Sequence, residues 1–317
     1  MPEPSLVIVL PVFEDRESAC RLFADLAATF GQAARLVVVD DGSVHAPLRS
    51  EDLAAAGIDG AVLRLRRNVG HQRAIAIGMQ YVAEHMANVP RIVVMDSDGE
   101  DMPASISTLL AALDDEEVDV AVAQRKSRIE SARFKLFYAV YKSLYWLLTG
   151  RRISFGNFMA MTSGALRRLT SMGELAIHVA GTVLISRLRW KPCPIDRGPR
   201  YAGRSKMNFV ALVLHGLKGL MVFAEDVLVR VGAACALVAS ASLFGALAAV
   251  VLKSVGYATP GWFSVALGVL LIMFLQTGAI ALMTLLLTGI ARHAVIEPSD
   301  YRILVDEVES TGANRDG

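Results

Sequence analysis

The sequence predicts an α/β domain on a doubly wound sheet, followed by two membrane-spanning helices. Three observations predict it. Short Val/Ile-rich runs alternate with helical patterns over the first two-thirds of the chain, which is the rhythm of strand–helix–strand units. Near residue 206 the composition shifts and charges become sparse, as at a border between a soluble and a membrane part. Two apolar runs then follow, each long enough to cross a bilayer. Together they give 317 residues a hydrophobic content of 54% and a mean hydropathy of +0.44, too apolar for an ordinary soluble protein.

The elements follow in order. Leu6–Leu10 has no basic residues before it and stops at Pro11, so it reads as a buried strand and not as a signal peptide. Leu36–Val39, Ala61–Leu65, Ile92–Met95 and Val118–Ala123 are further strands, apolar throughout as in a parallel sheet covered on both faces. Glu17–Phe30, His71–His85 and Ala104–Leu113 carry helical patterns between them. In such sheets ligands bind beyond the carboxyl ends of the strands. There the sequence places Pro11-Val12-Phe13-Glu14, Asp40-Asp41-Gly42-Ser43, Arg67-Asn68-Val69-Gly70 and Asp96-Ser97-Asp98-Gly99-Glu100-Asp101. One acidic turn is an ordinary solvated loop; four polar clusters at one sheet edge mark a site.

The apolar runs are Val231–Leu252 and Trp262–Ile290, joined by a short link, Lys253–Gly261, with Gly256, Pro260 and Gly261. Each spans at least about 30 Å at 1.5 Å per residue, one hydrocarbon core. Arg197, Arg200, Arg204, Lys206, Lys218 and Arg230 precede the first, Arg292, His293 and Arg302 follow the second, and the link holds only Lys253. Positive flanks stay in the cytoplasm, so both termini and the 1–206 domain are expected on the cytoplasmic side of the cell membrane, with 291–317 as a tail. The alternative, a buried helical hairpin, lacks enough surrounding chain to cover it. Phe134–Leu148 and Met207–Phe223 mix apolar residues with Lys, as interfacial helices do; for the first, packing on the soluble core is the alternative. A net charge of +1 argues against nucleic acid as a partner. Cys20, Cys193 and Cys235 have neither metal-ligand spacing nor an even count.

Asp96 and Asp98 stand two apart just after a strand, so their side chains face the same way. Such oxygen donors suit Mg²⁺ or Mn²⁺ carrying a diphosphate. The segments LPVFED at 10–15, VVDDGS at 38–43, RNVGHQRAIAIG at 67–78, MDSDGEDMP at 95–103 and RYAGRSKM at 200–207 together resemble the family 2 glycosyltransferases of the GT-A fold. More narrowly, they are similar to the polyprenyl-phosphate glycosyltransferases, the group of dolichyl-phosphate mannose synthase and the bacterial GtrB- and ArnC-type enzymes. The resemblance implies a nucleotide-sugar donor, uridine favoured over guanosine, a polyprenyl phosphate acceptor and a divalent metal. It implies a nucleotide-sugar pocket at Pro11, Val12, Glu14, Asp41, Asn68 and Asp96, with Asp98 on the metal. Relatives usually carry Gln at the position of Glu100, which here becomes a third candidate metal ligand.

Arg suits bidentate phosphate contacts and Lys a point charge. Arg125 and Arg128 after the fifth strand, and Arg200, Ser205 and Lys206 in a Gly-containing loop, are therefore candidates for the acceptor phosphate. Asp98, Arg200 and Lys206 are the expected catalytic set. For Arg197 and Arg204 a patch holding anionic lipids is the alternative. Many relatives are acidic where Ser154 and Asn157 stand. A phosphate monoester has a second pKa of about 6, so the acceptor is already an anionic nucleophile and needs no general base; Asn157 is kept as a sugar or acceptor contact. Ser186-Arg187-Leu188-Arg189-Trp190 approaches the Q-x-x-R-W signature of processive synthases, but Ser replaces Gln and only two spans follow, so Trp190 reads as packing. The alternatives are transfer to another membrane lipid such as a diacylglycerol, and a non-catalytic scaffold. Self-association is open.

Overall fold

The structure, a computed structural model, describes residues 4–125, 142–152, 154–202, 209–257, 261–296 and 300–311. The expected catalytic and acceptor residues Arg128, Ser205 and Lys206, and 134–141 of the first interfacial segment, lie outside them. Among the described residues eight strands are formed: β1 (Leu6–Val12), β2 (Ala34–Asp40), β3 (Asp59–Leu65), β4 (Arg91–Val94), β5 (Val120–Arg125), β6 (Met159–Thr162), β7 (Trp190–Ile195) and β8 (Val305–Ser310). The helices are α1 (Arg16–Phe30), α2 (Ser50–Ala56), α3 (His71–His85), α4 (Ile106–Ala112), α5 (Ser163–Thr170), α6 (Val179–Ile185), α7 (Phe209–Val222), α8 (Ala224–Ser254) and α9 (Trp262–Ile296).

The strands make one sheet in the order β7-β5-β6-β4-β1-β2-β3-β8. Its middle is parallel, β4-β1-β2-β3. Successive side chains of a strand point to opposite faces, and β1 uses both. Val7 and Val9 pack under α3 and α5, with Ala74, Ile75 and Leu166. Leu6, Ile8 and Leu10 pack with Leu22, Phe23, Leu53 and Leu109 of α1, α2 and α4. A strand buried on both faces has no polar side, which is why its sequence is a continuous apolar run.

The sheet departs from the all-parallel arrangement of a simple doubly wound fold. β6 runs antiparallel between β4 and β5, while β5 and β7 are parallel to each other. Two reversals restore direction, so β5 and β7 end at the same edge as β1 to β4. β8 closes the other side, antiparallel to β3. Part of the expected 291–317 tail is therefore a strand of this sheet. Its sequence, VDEVES, reads as polar tail because an edge strand is covered on one side only. Glu307 and Glu309 meet Arg64 across the ladder, and Glu309 Oε2 accepts from the Ser50 backbone N–H at 2.9 Å.

The sheet and its covering helices form one unit. The second unit holds α8, α9 and helical residues 142–149. Within it, Arg230 donates to the Leu147 carbonyl at 3.1 Å. Ala224–Ser254 and Trp262–Thr284 are long and apolar enough to cross a membrane, each with a mean hydropathy of 2.3. Their apolar side chains are turned outward: Leu237 is 72% exposed and Ile272 62%.

Candidate active site

β1 and β2 end side by side, Val12 opposite Asp40, and the turns beyond them are tied together by carboxylates. Asp40 is buried and accepts from the Ser43 and Leu48 N–H groups, both at 2.9 Å. Asp41, next in sequence, accepts from Val69 N–H at 2.7 Å and Gly70 N–H at 3.0 Å, which joins the turn after β2 to the one after β3. Burial pushes the Asp41 carboxyl up, against those two hydrogen bonds. Gly42 (φ +74°) completes this contact: a Cβ there would lie 2.6 Å from the Asn68 backbone nitrogen. Glu14, itself at φ +49°, accepts from the Val44, His45 and Ala46 N–H groups at 2.7–3.2 Å. These hydrogen bonds hold its carboxyl below the usual value. Pro11 and Val12 are buried at the end of β1, and Asn68 is exposed. The expected nucleotide-pocket residues are thus brought together at one edge, with Glu14 and Asp41 bound to backbone N–H groups.

The acidic turn follows β4 on the same edge. Asp101 is buried and its Oδ2 accepts from the Asp96 N–H at 2.9 Å, which folds the turn back on itself. Asp98 Oδ1 accepts from Glu100 N–H at 3.0 Å, and its Oδ2 lies 2.7 Å from Arg200 Nη2. Glu100 pairs with Arg197 and stands 3.7 Å from Arg200 Nε. Burial, then the neighbouring Asp96, raises the Asp98 carboxyl, and Arg200 and Arg197 pull it back. His71, at the start of α3, places Nε2 3.1 Å from Asp96 Oδ1. Burial opposes charge on that ring, yet Asp96, with Asp41 and Asp101, outweighs it and raises the pKa.

The arginines arrive through β7. It ends at Ile195, opposite Arg125 of β5, and the segment after it lies back on the acidic turn. Gly198 N–H donates to the Glu100 carbonyl and Tyr201 N–H to the Asp98 carbonyl, both at 2.9 Å. Tyr201 lies over Gly99, which has φ +87° and no room for a side chain. Its hydroxyl donates to Asp25, and Arg21 stands 4.8 Å from its ring centroid. Burial first, then Asp25, pushes the Tyr201 pKa up to about 12. Asp96, Glu100, Asp101, Asn157, Asp196 and Arg197 line a small open cleft.

Expected residues Asp96, Asp98, Glu100 and Arg200 therefore meet in one cluster, and the backbone of Arg125 ends its strand on the same edge. His71 and Asp101, outside the expected set, join them, and so do Tyr201 and Arg197, the latter expected only in a basic patch. The signal for the last two was β7, whose WKPCPI buries Cys193 and Ile195 alternately, a period-2 pattern hidden by two prolines. Trp190 packs against Phe155, ring centroids 5.2 Å apart.

Asp96 and Asp98 are hard oxygen donors of the class Mg²⁺ and Mn²⁺ take. Among the described residues no group of three His, Cys, Asp or Glu side chains is placed to enclose an ion. Their donor chemistry suits an ion that draws its remaining ligands from a diphosphate.

A mixed sheet with an acidic D-x-D turn at its ligand-binding edge defines a glycosyltransferase of the GT-A type. The chain belongs to the Glycosyl transferase family 2, which it matches over residues 7–174. It is 25% identical to an uncharacterised glycosyltransferase of Synechocystis sp. over 69% of each chain. It is 28% identical to the dodecaprenyl-phosphate galacturonate synthase of Rhizobium johnstonii, over 39% of this chain and 36% of that one. Among solved structures it is similar to glucosyl-3-phosphoglycerate synthase from Mycobacterium tuberculosis in complex with Mg²⁺ and uridine diphosphate. There the TM-score is 0.49 at 13% identity, over 70% of this chain and 78% of that one.

Proposed function

We propose that the enzyme transfers a sugar from a nucleoside-diphosphate sugar, uridine favoured, to a polyprenyl phosphate at the cytoplasmic leaflet, with inversion. The observation that carries this reading is the acidic turn at the sheet edge with Arg197 and Arg200 laid against it. It joins groups suited to a diphosphate–metal complex with cations suited to an acceptor phosphate. The lipid acceptor draws support from the Rhizobium relative's name and from the two outward-facing apolar helices. The topology draws support from β8. The chain leaves the catalytic sheet before α8 and returns to it after α9, so two spans bring it back to the side it left.

The acceptor phosphate oxygen attacks the anomeric carbon. The bond from that carbon to the diphosphate oxygen breaks, and its electron pair leaves with the nucleoside diphosphate. Asp96 and Asp98 would hold Mg²⁺ or Mn²⁺, which when bound neutralises charge on the leaving diphosphate. Glu100 serves the ion only when its pair with Arg197 opens. Arg200 and Arg197, with Arg125, Arg128, Ser205 and Lys206, receive the acceptor phosphate and orient its oxygen, so positioning and charge stabilisation supply the rate. Pro11, Val12, Glu14, Asp41 and Asn68 shape the edge on which the nucleotide lies.

The test is transfer of label from UDP- and GDP-sugars to undecaprenyl phosphate, with diacylglycerol as the competing acceptor. Labelled polyprenyl lipid is expected, and Asp98→Asn is expected to remove turnover while the protein stays folded. Full activity in that variant overturns the assignment of Asp98. Label found only on diacylglycerol overturns the acceptor.

A further inference from the structure

We infer that Gln72 is a positioning residue of this site: it fixes which end of the Asn157 amide faces His71 at the cleft. The inference rests on the transferase reading above. A carboxamide has one acceptor end and one donor end, and its partners tell them apart. Gln72 lies on α3 and is buried. Its Oε1 accepts from the Val179 backbone N–H at 2.7 Å. That N–H stands in the first turn of α6, where no intrahelical acceptor exists, and a backbone donor does not reverse. Gln72 Nε2 must therefore point the other way, toward Asn157 at 3.1 Å, and the atom it meets must be Oδ1. Asn157 Nδ2 is then turned to His71 Nε2 at 3.0 Å. The same ring nitrogen stands 3.1 Å from Asp96 Oδ1, and it either donates there or accepts from Asn157, not both. One backbone N–H thus sets the polarity of two side chains in series, Gln72 and Asn157, ending at the cleft that Asn157 lines.

A plainer role is that Gln72 only satisfies Val179. Gln72→Glu separates the two. The carboxylate still accepts from Val179, but it offers Asn157 a second acceptor where a donor stood. The Asn157 amide then turns over and gives Oδ1 to His71, with the fold unchanged.

The experiment uses the full chain in detergent, with Gln72→Glu, Asn157→Ala and the double variant. Donor turnover by Gln72→Glu is expected to fall roughly tenfold in kcat, and the same change in the Asn157→Ala background to shift kcat less than about twofold. A loss of equal size in both backgrounds overturns the inference. A second readout needs no turnover: the Asn157 side-chain amide signals, located by their disappearance in Asn157→Ala, should shift in the ¹⁵N spectrum of Gln72→Glu. Unmoved signals overturn the inference. If the wild-type protein transfers no sugar, the functional reading falls by itself and the spectrum decides the role of Gln72.

Discussion

Replacing Gly99 with Ala should free the arginine-bearing segment from the acidic turn. Gly99 has φ +87°, and a Cβ there would lie 2.6 Å from Cε2 of Tyr201. The backbone strain costs about 1–2 kcal/mol. The clash drives the Tyr201 ring away, which gives up its hydroxyl bond to Asp25 and the contact with Arg21. A hydrogen bond to a carboxylate contributes about 1.5–3 kcal/mol, and an exposed cation–π contact about 0.5–1 kcal/mol. The total, about 3–6 kcal/mol, should raise the open population of residues 197–201 at least about 100-fold, since 1.4 kcal/mol is a factor of ten. Limited trypsinolysis reads this directly. Cleavage after Arg197 and Arg200 should accelerate by a similar factor where it tracks the open population. Gly99→Ala/Tyr201→Ala should cleave no faster than Tyr201→Ala by more than the strain term, because the clash has no partner left. Unchanged cleavage in Gly99→Ala would refute the idea that Tyr201 fastens this segment.

Glu14→Gln should lower Tm near neutral pH. The wild-type carboxyl is held below 4.5 by the Val44, His45 and Ala46 N–H groups, so its contribution is present above that value and lost as pH falls through the depressed one; the Tm difference between the two proteins should close in acid. Gly42→Ala combines a positive φ with a Cβ 2.5 Å from the Arg67 carbonyl carbon and should cost about 2–4 kcal/mol, read by chemical denaturation. Glu309→Ala removes the acceptor of the Ser50 N–H and should cost about 1–2 kcal/mol, with faster amide exchange along β8.

The sequence displayed the middle of the sheet because those strands are covered on both faces. Leu6–Val12 is buried at every position, and only a continuous apolar run satisfies that. Helix His71–His85 was legible to the residue, through its periodicity after Gly70. β6, β7 and β8 were not. β6 is four residues, MAMT, within the span of any helix turn. β7 carries two prolines, and β8 four polar residues of six. The same cause limits the site. Asp96 and Asp98 could be found because a D-x-D after a buried strand is a local pattern. That Arg197 and Arg200 would be laid on them depends on β7 pairing with β5, a contact between residues 70 positions apart, as Val120 and Trp190 are. The link from Val179 through Gln72 to Asn157 is less local still, since three separate elements supply it.

β8 also sets an order of events in the making of the protein. Its partner β3 is synthesised early, while β8 follows both long apolar helices. As the chain emerges, the β3 edge stays open until α8 and α9 have passed, and non-local pairings of this kind close slowly. An open strand edge is a template for wrong partners. The enzyme therefore completes its sheet only after both long apolar helices are made, so a sheet closed by β8 exists only on a molecule that already carries them.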